Sequence, residues 1–127
     1  MEPKPHHAIH AERASALVVG IGALGCQAAA ALVSAGIRDL TLVDDDRVER
    51  SNLQRQVLFD DTDIGRSKAI AAALALRAEA PASTISARTE RVTPRNAADL
   101  VGHHDLTIDA TDDPDSKYLL NRTAVEA

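Results

Sequence analysis

The stretch ALVVGIGALG, residues 16–25, constrains the fold more than any other part of the chain. Four apolar residues break into glycines spaced G-x-G-x-x-G, at Gly20, Gly22 and Gly25, and the alanine-rich run CQAAAALVSAG follows directly. The apolar run is short and ends in glycine, so it reads as a buried strand. The alanine run reads as a helix stopped by Gly36 as its C-terminal cap. Each glycine answers a separate need: Gly20 permits the tight turn, Gly22 admits a ligand close to the backbone, and Gly25 lets the helix pack closely on the strand.

The same alternation continues to the end of the chain. DLTLVD is a second strand, and SKAIAAALALRAEAP a helix with Ser67 as N-cap and Pro81 as its stop. STISART is a third strand, and TPRNAADLVGHH a short helix with Pro94 near its first turn. DLTIDAT is a fourth strand. DPDSKYLLNRTAVEA is a last helix, with Asp113 as N-cap and Pro114 near its first turn. Alternating strands and helices imply right-handed crossovers and a mainly parallel sheet covered on both faces. The expected fold is α/β, a Rossmann-like doubly wound sheet of order 3-2-1-4, truncated after about four strands. Residues 1–15 read as a leader, flexible or an extra helix, and residues 16–127 as one nucleotide-binding domain. A sheet ending there leaves an edge and apolar helix faces open, which predicts a homodimer or pairing with a homologous subunit.

Composition removes several function classes. Aromatics make up only 2% of the residues, so there are few platforms for stacking bases. The net charge of −5 argues against binding a phosphate backbone, and no nucleic-acid partner is expected. No apolar stretch approaches the ~18 residues of a membrane span, and the N-terminus lacks the apolar core of a signal peptide, so the expected location is cytoplasmic. His6, His7 and His10 have no acidic or cysteine partner nearby and read as part of a solvated leader rather than a metal site. Cys26, the single cysteine, lies at a helix start, but its alanine-rich surroundings favour packing over a reactive thiolate.

The helix behind Gly22 offers free N–H groups and its positive dipole end to a phosphate, and Asp44 closes the second strand at a spacing suited to a ribose hydroxyl. These features leave NAD, FAD and ATP open. The segment SNLQRQVLFDDTDIGRSKA, residues 51–69, adds Arg55, Gln56 and Lys68. A rigid guanidinium fork and a compact ammonium both suit phosphate oxygens. Lys68 falls in the first turn of a predicted helix, where a cation opposes the dipole at a cost of ~0.5 kcal/mol. An anion at that spot would offset the cost; two solvated surface cations are the alternative, and spacing alone does not decide.

Taken together, VVGIGALG, VDDDRVERSNLQRQVLFDDTDIGRSKA and IDATDD resemble the ThiF/MoeB/HesA family, relatives of the ubiquitin-activating enzymes, over the chain from about residue 16 to its end. The resemblance implies ATP-dependent, magnesium-assisted adenylation of the C-terminal carboxylate of a ubiquitin-like or sulfur-carrier protein ending in Gly-Gly. It further implies that Asp44 holds the ribose, Asn52 a phosphate oxygen and Arg55 the triphosphate, with Gln56 also in the nucleotide site. Lys68 would stabilise charge on the α-phosphate, and Asp112 would bind Mg2+.

The chain also departs from the pattern. Asp113 stands where the family usually has asparagine, and capping is its expected role. The family's N-terminal arginine motif is not recognisable, Arg13 lying too close to the first strand. The family's second half, with its Cys-x-x-Cys pairs, is absent, so neither zinc nor a thioester cysteine is expected. Two other readings stand beside the adenylating half-enzyme: a catalytically silent partner of an active homologue, and an NAD-dependent oxidoreductase domain. The first leaves Arg55, Lys68 and Asp112 without purpose; the second leaves residues 51–69 unexplained.

Overall fold

The computed structural model describes residues 11–126. Four strands and four main helices alternate along the chain: β1 (Ser15–Val19), α1 (Ala23–Ser34), β2 (Asp39–Val43), α2 (Lys68–Glu79), β3 (Thr84–Arg88), α3 (Ala97–Gly102), β4 (Leu106–Asp109) and α4 (Pro114–Glu126). The strands form one all-parallel sheet in the order β3-β2-β1-β4, which is the order expected from the sequence. His6, His7 and His10 lie outside the described residues, and so does most of the expected leader. No helix of the described residues is long and apolar enough to cross a membrane.

The apolar strands are explained by burial on both faces. In β1, Ala16 and Val18 point into a core beneath α1 and α2, while Leu17 and Val19 point into a second core beneath α3 and α4. A two-residue period with both faces covered turns into a continuous apolar run, the mark of a central parallel strand. In β2, Leu40 and Leu42 join the first core and Val43 the second. Each of these fully buried leucines contributes about 1.5–3 kcal/mol relative to exposure. β1 is buried throughout, whereas β3 and β4, at the two edges, are only partly covered.

Helix ends follow the capping chemistry. Ser67 Oγ accepts the Ile70 N–H at 3.3 Å to start α2, and Gly36 ends α1 with φ at +83°, a conformation that costs a side chain but not glycine. α1 begins at Ala23, three residues before the run read as helix, because the glycine turn itself winds into the first turn. α3 begins only at Ala97. Pro94 sits in a preceding turn, in which the Thr93 N–H donates to Asn96 Oδ1 at 2.7 Å, so that proline sets a turn rather than the helix start. Between β2 and α2 the chain makes two 3-10 turns, Arg50–Asn52 and Asp61–Asp63, and rejoins the fold through an antiparallel bridge between Arg47 and Ser67.

Candidate functional site

The carboxyl ends of the strands open into a cleft of about 570 Å3. Its floor is the glycine turn. Gly20 has φ at +91°, and a Cβ placed there would lie 2.8 Å from the Ala110 carbonyl oxygen. At Gly25 a Cβ would fall 1.8 Å from the Gly20 oxygen, so α1 rests on the turn at a distance only hydrogen allows. Gly22 is different: a Cβ there would meet nothing closer than Gln56 Nε2 at 4.0 Å. The space a side chain would fill is thus left open at the N-terminus of a twelve-residue helix, where N–H groups and the dipole favour an anion.

Asp44 fixes this turn. One carboxylate oxygen accepts the Ile21 N–H and the other the Asp46 N–H, both at 2.6 Å. Sequence reasoning assigned Asp44 only to a ribose, and the structure adds this second task of holding the turn that a phosphate would approach.

The segment between β2 and α2 supplies the opposite wall. Asn52, Arg55 and Gln56 all line the cleft beside Lys68. Asn52 Oδ1 is engaged by the Glu49 N–H at 2.8 Å, which leaves its amide N–H groups for a ligand. Gln56 is 5% exposed, and its Oε1 is buried with no hydrogen-bond partner among the described residues. A buried unpaired carbonyl costs free energy until a donor arrives. Lys68 opens α2 and is only 8% exposed, yet neither it nor the exposed Arg55 makes an ion pair or side-chain hydrogen bond among the described residues. Two cations without anions, one of them buried, face the same space as an open glycine.

Asp112 lies just past β4 on the third wall, exposed and unpaired among the described residues. The neighbouring Asp113 caps α4: its oxygens accept from the Asp115 N–H at 3.2 Å and the Ser116 hydroxyl at 2.7 Å. Those bonds hold its carboxyl below the usual carboxylate range. Asp113 also pairs with Arg91, a residue that sequence reasoning missed. Nothing local marks Arg91, because its partner is 22 residues away. Glu90, Arg91 and Val92 line the cleft too, and no motif flagged them.

Cys26 is fully buried, and burial pushes its thiol up to about 11. It is a packing residue, as its apolar neighbours led us to expect.

A family model described as the ThiF family matches residues 7–127. The chain belongs to the ThiF family. Among its relatives, the adenylyltransferase and sulfurtransferase uba4 of Emericella nidulans is 45% identical over 112 residues, covering 88% of this chain and 23% of that protein. The sulfur carrier protein adenylyltransferase of Thermus thermophilus is 42% identical over 114 residues, covering 90% and 42%. This ThiF-family chain therefore spans less than half the length of both curated relatives. Among solved structures, the E. coli tRNA N6-threonylcarbamoyladenosine dehydratase in complex with AMP superposes with a TM-score of 0.87 at 32% identity, over 91% of this chain and 48% of that one. The same dehydratase in complex with ATP gives 0.83 at 34% identity, over 87% and 46%.

Proposed function

We propose that this chain binds ATP in the cleft and supplies the nucleotide-binding half of an enzyme that adenylates the C-terminal carboxylate of a ubiquitin-like or sulfur-carrier protein. The observation that carries the reading is Lys68, a buried ammonium at a helix N-terminus with no partner among the described residues, beside Arg55 and opposite Gly22. That arrangement is unfavourable when empty and favourable around a polyphosphate. The crystallised relative that holds ATP supports the same ligand, and so do the relatives named as adenylyltransferases.

In this reading a carboxylate oxygen of the carrier attacks the α-phosphorus of ATP, and the bond to pyrophosphate breaks. The products are an acyl-adenylate and pyrophosphate. Arg55 and Lys68 oppose the charge gathering on the phosphate oxygens, and the residues around them position the reactants in line. Asn52 donates to a phosphate oxygen, and the second face of the Asp44 carboxylate accepts from the ribose. The buried Gln56 Oε1 gains the hydrogen-bond donor it lacks from the nucleotide. Asp112 suits Mg2+, which takes one or two carboxylates and completes its shell with phosphate oxygens and water. The ion would neutralise phosphate charge. Association with a second copy or a homologous subunit is supported by Ile70 and Leu74, exposed one turn apart on α2.

The test is ATP–pyrophosphate exchange with a ubiquitin-like carrier ending in Gly-Gly, alongside calorimetric binding of ATP and of NAD. Exchange that disappears in Arg55→Ala is the expected outcome. ATP binding without any exchange would reduce the chain to a silent binding partner, and preference for NAD over ATP would end the reading.

A further inference from the structure

Asp112 sits in a four-residue link between β4 and α4 that is tied down on both sides. Toward β4, Asp109 Oδ1 accepts from the Thr111 N–H at 3.0 Å and the Thr111 hydroxyl at 2.6 Å. Toward α4, Asp113 accepts from the Asp115 N–H and the Ser116 hydroxyl. These bonds are local and fix the shape of the link; the Ala110 N–H, donating to the Val19 carbonyl at 2.8 Å, ties its start to β1, and none of them reaches the wall at residues 90–92.

Arg91 supplies a long-range tie through its ion pair with Asp113. The topology makes that pair informative. In the order β3-β2-β1-β4, β3 and β4 are opposite edges of the sheet. The chain leaving β3 must therefore cross the ends of β2 and β1 before Arg91 can meet a residue that follows β4. Val92 marks the crossing, packed in the second core with Val43 of β2 and Val19 of β1. The wall at residues 90–92 and the link bearing Asp112 line the same cleft, and Arg91 joins them. An exposed ion pair contributes little to stability in general, so a role for this one has to be sought in what it connects.

We propose that Arg91 is a positioning residue that couples nucleotide binding to metal binding: through Asp113 it fixes Asp112 relative to the wall the nucleotide contacts. It also neutralises Asp113, so that of these two adjacent carboxylates Asp112 is the one left to take a cation. The inference rests on the reading that ATP and Mg2+ occupy this cleft. A nucleotide resting against Glu90 and Val92, with the Arg91 guanidinium turned to Asp113, then finds the metal-bearing carboxylate already in place, and the metal strengthens ATP binding by the same factor as ATP strengthens metal binding.

The experiment measures ATP affinity by calorimetry, in Mg2+ and in chelator, for the native chain, Arg91→Ala, Arg91→Lys and Asp113→Asn. The native chain binds ATP more tightly with Mg2+. Arg91→Ala is expected to cut that enhancement about fivefold or more, a coupling of ordinary size, while Mg2+-free affinity stays within about twofold. Arg91→Lys restores part of the enhancement as a point charge without the fork. Asp113→Asn retains most of it, because the amide oxygen still accepts from Arg91. An unchanged enhancement in Arg91→Ala overturns the inference, and so does an equal loss with and without Mg2+, which marks general damage to the cleft. If Arg91→Ala does not fold, Asp113→Ala reads the same coupling from the other partner, with the same two refuting results. A native chain that binds no ATP in either condition removes the functional reading and the inference together.

Discussion

Replacing Lys68 by methionine should make the empty protein more stable and the nucleotide complex weaker. The methionine keeps most of the buried stem and removes the charge. In the ligand-free chain that charge opposes the α2 dipole and is held at 8% exposure with no anion among the described residues. Relief of the dipole contributes about 0.3–1 kcal/mol, and relief of desolvation adds to it. A total near 1 kcal/mol corresponds to a rise in Tm of about 3–6 °C for a domain of this size. With ATP bound the sign reverses, because a hydrogen bond to a charged group is worth about 1.5–3 kcal/mol and its loss weakens binding roughly 10- to 150-fold. Urea denaturation of the nucleotide-free protein gives the first quantity, and calorimetric titration with ATP gives the second. A Lys68→Met variant that is less stable when empty and binds ATP as tightly as the native chain would refute the reasoning on both counts.

Gly25→Ala should destabilise the fold by about 3 kcal/mol, the upper end of the usual overpacking cost, since its methyl would lie 1.8 Å from the Gly20 carbonyl oxygen and α1 would have to lift away; a urea midpoint reads this directly. Cys26 should resist iodoacetamide at pH 8 in the folded state and react on unfolding, because burial holds its thiol near 11. The same shift makes the unfolded chain lose the thiol proton first, so the Cys26 contribution to stability is present below about pH 9 and fades as the pH climbs toward 11. A Cys26→Ala variant should lack that alkaline decline.

The sheet was legible because its signals are local. Residues 16–25 carry strand, turn and helix within one short window, and both faces of β1 and β2 are buried, which leaves long apolar runs. Six cleft residues were legible for a different reason: Asp44, Asn52, Arg55, Gln56, Lys68 and Asp112 form spaced motifs. Long-range placement was not. The pairing of Arg91 with Asp113 depends on the path the chain takes across β2 and β1, and no residue near Arg91 records it. The part Asp44 plays in holding the turn was equally hidden, because it depends on how closely β1 and β2 bring two loops together. Pro94 misled for a local reason. Thr93 and Asn96 close a turn of their own ahead of α3, and the proline serves that turn.

Gly20 and Gly25 bear on how this cleft can move. With the helix resting on the carbonyl of the turn, α1 has no slack along its axis, and the glycine end of the cleft behaves as an anvil. The segment at residues 45–66 is built otherwise. Its two 3-10 turns are held by short capping bonds such as Glu49 to Asn52 and Thr62 to Asp60, mostly among exposed side chains that water can replace. Val48 and Phe59 anchor this wall in the first core, so the two sides of the cleft differ in kind: one is a backbone contact with no room for an atom, the other a set of exposed turns pinned at two buried points.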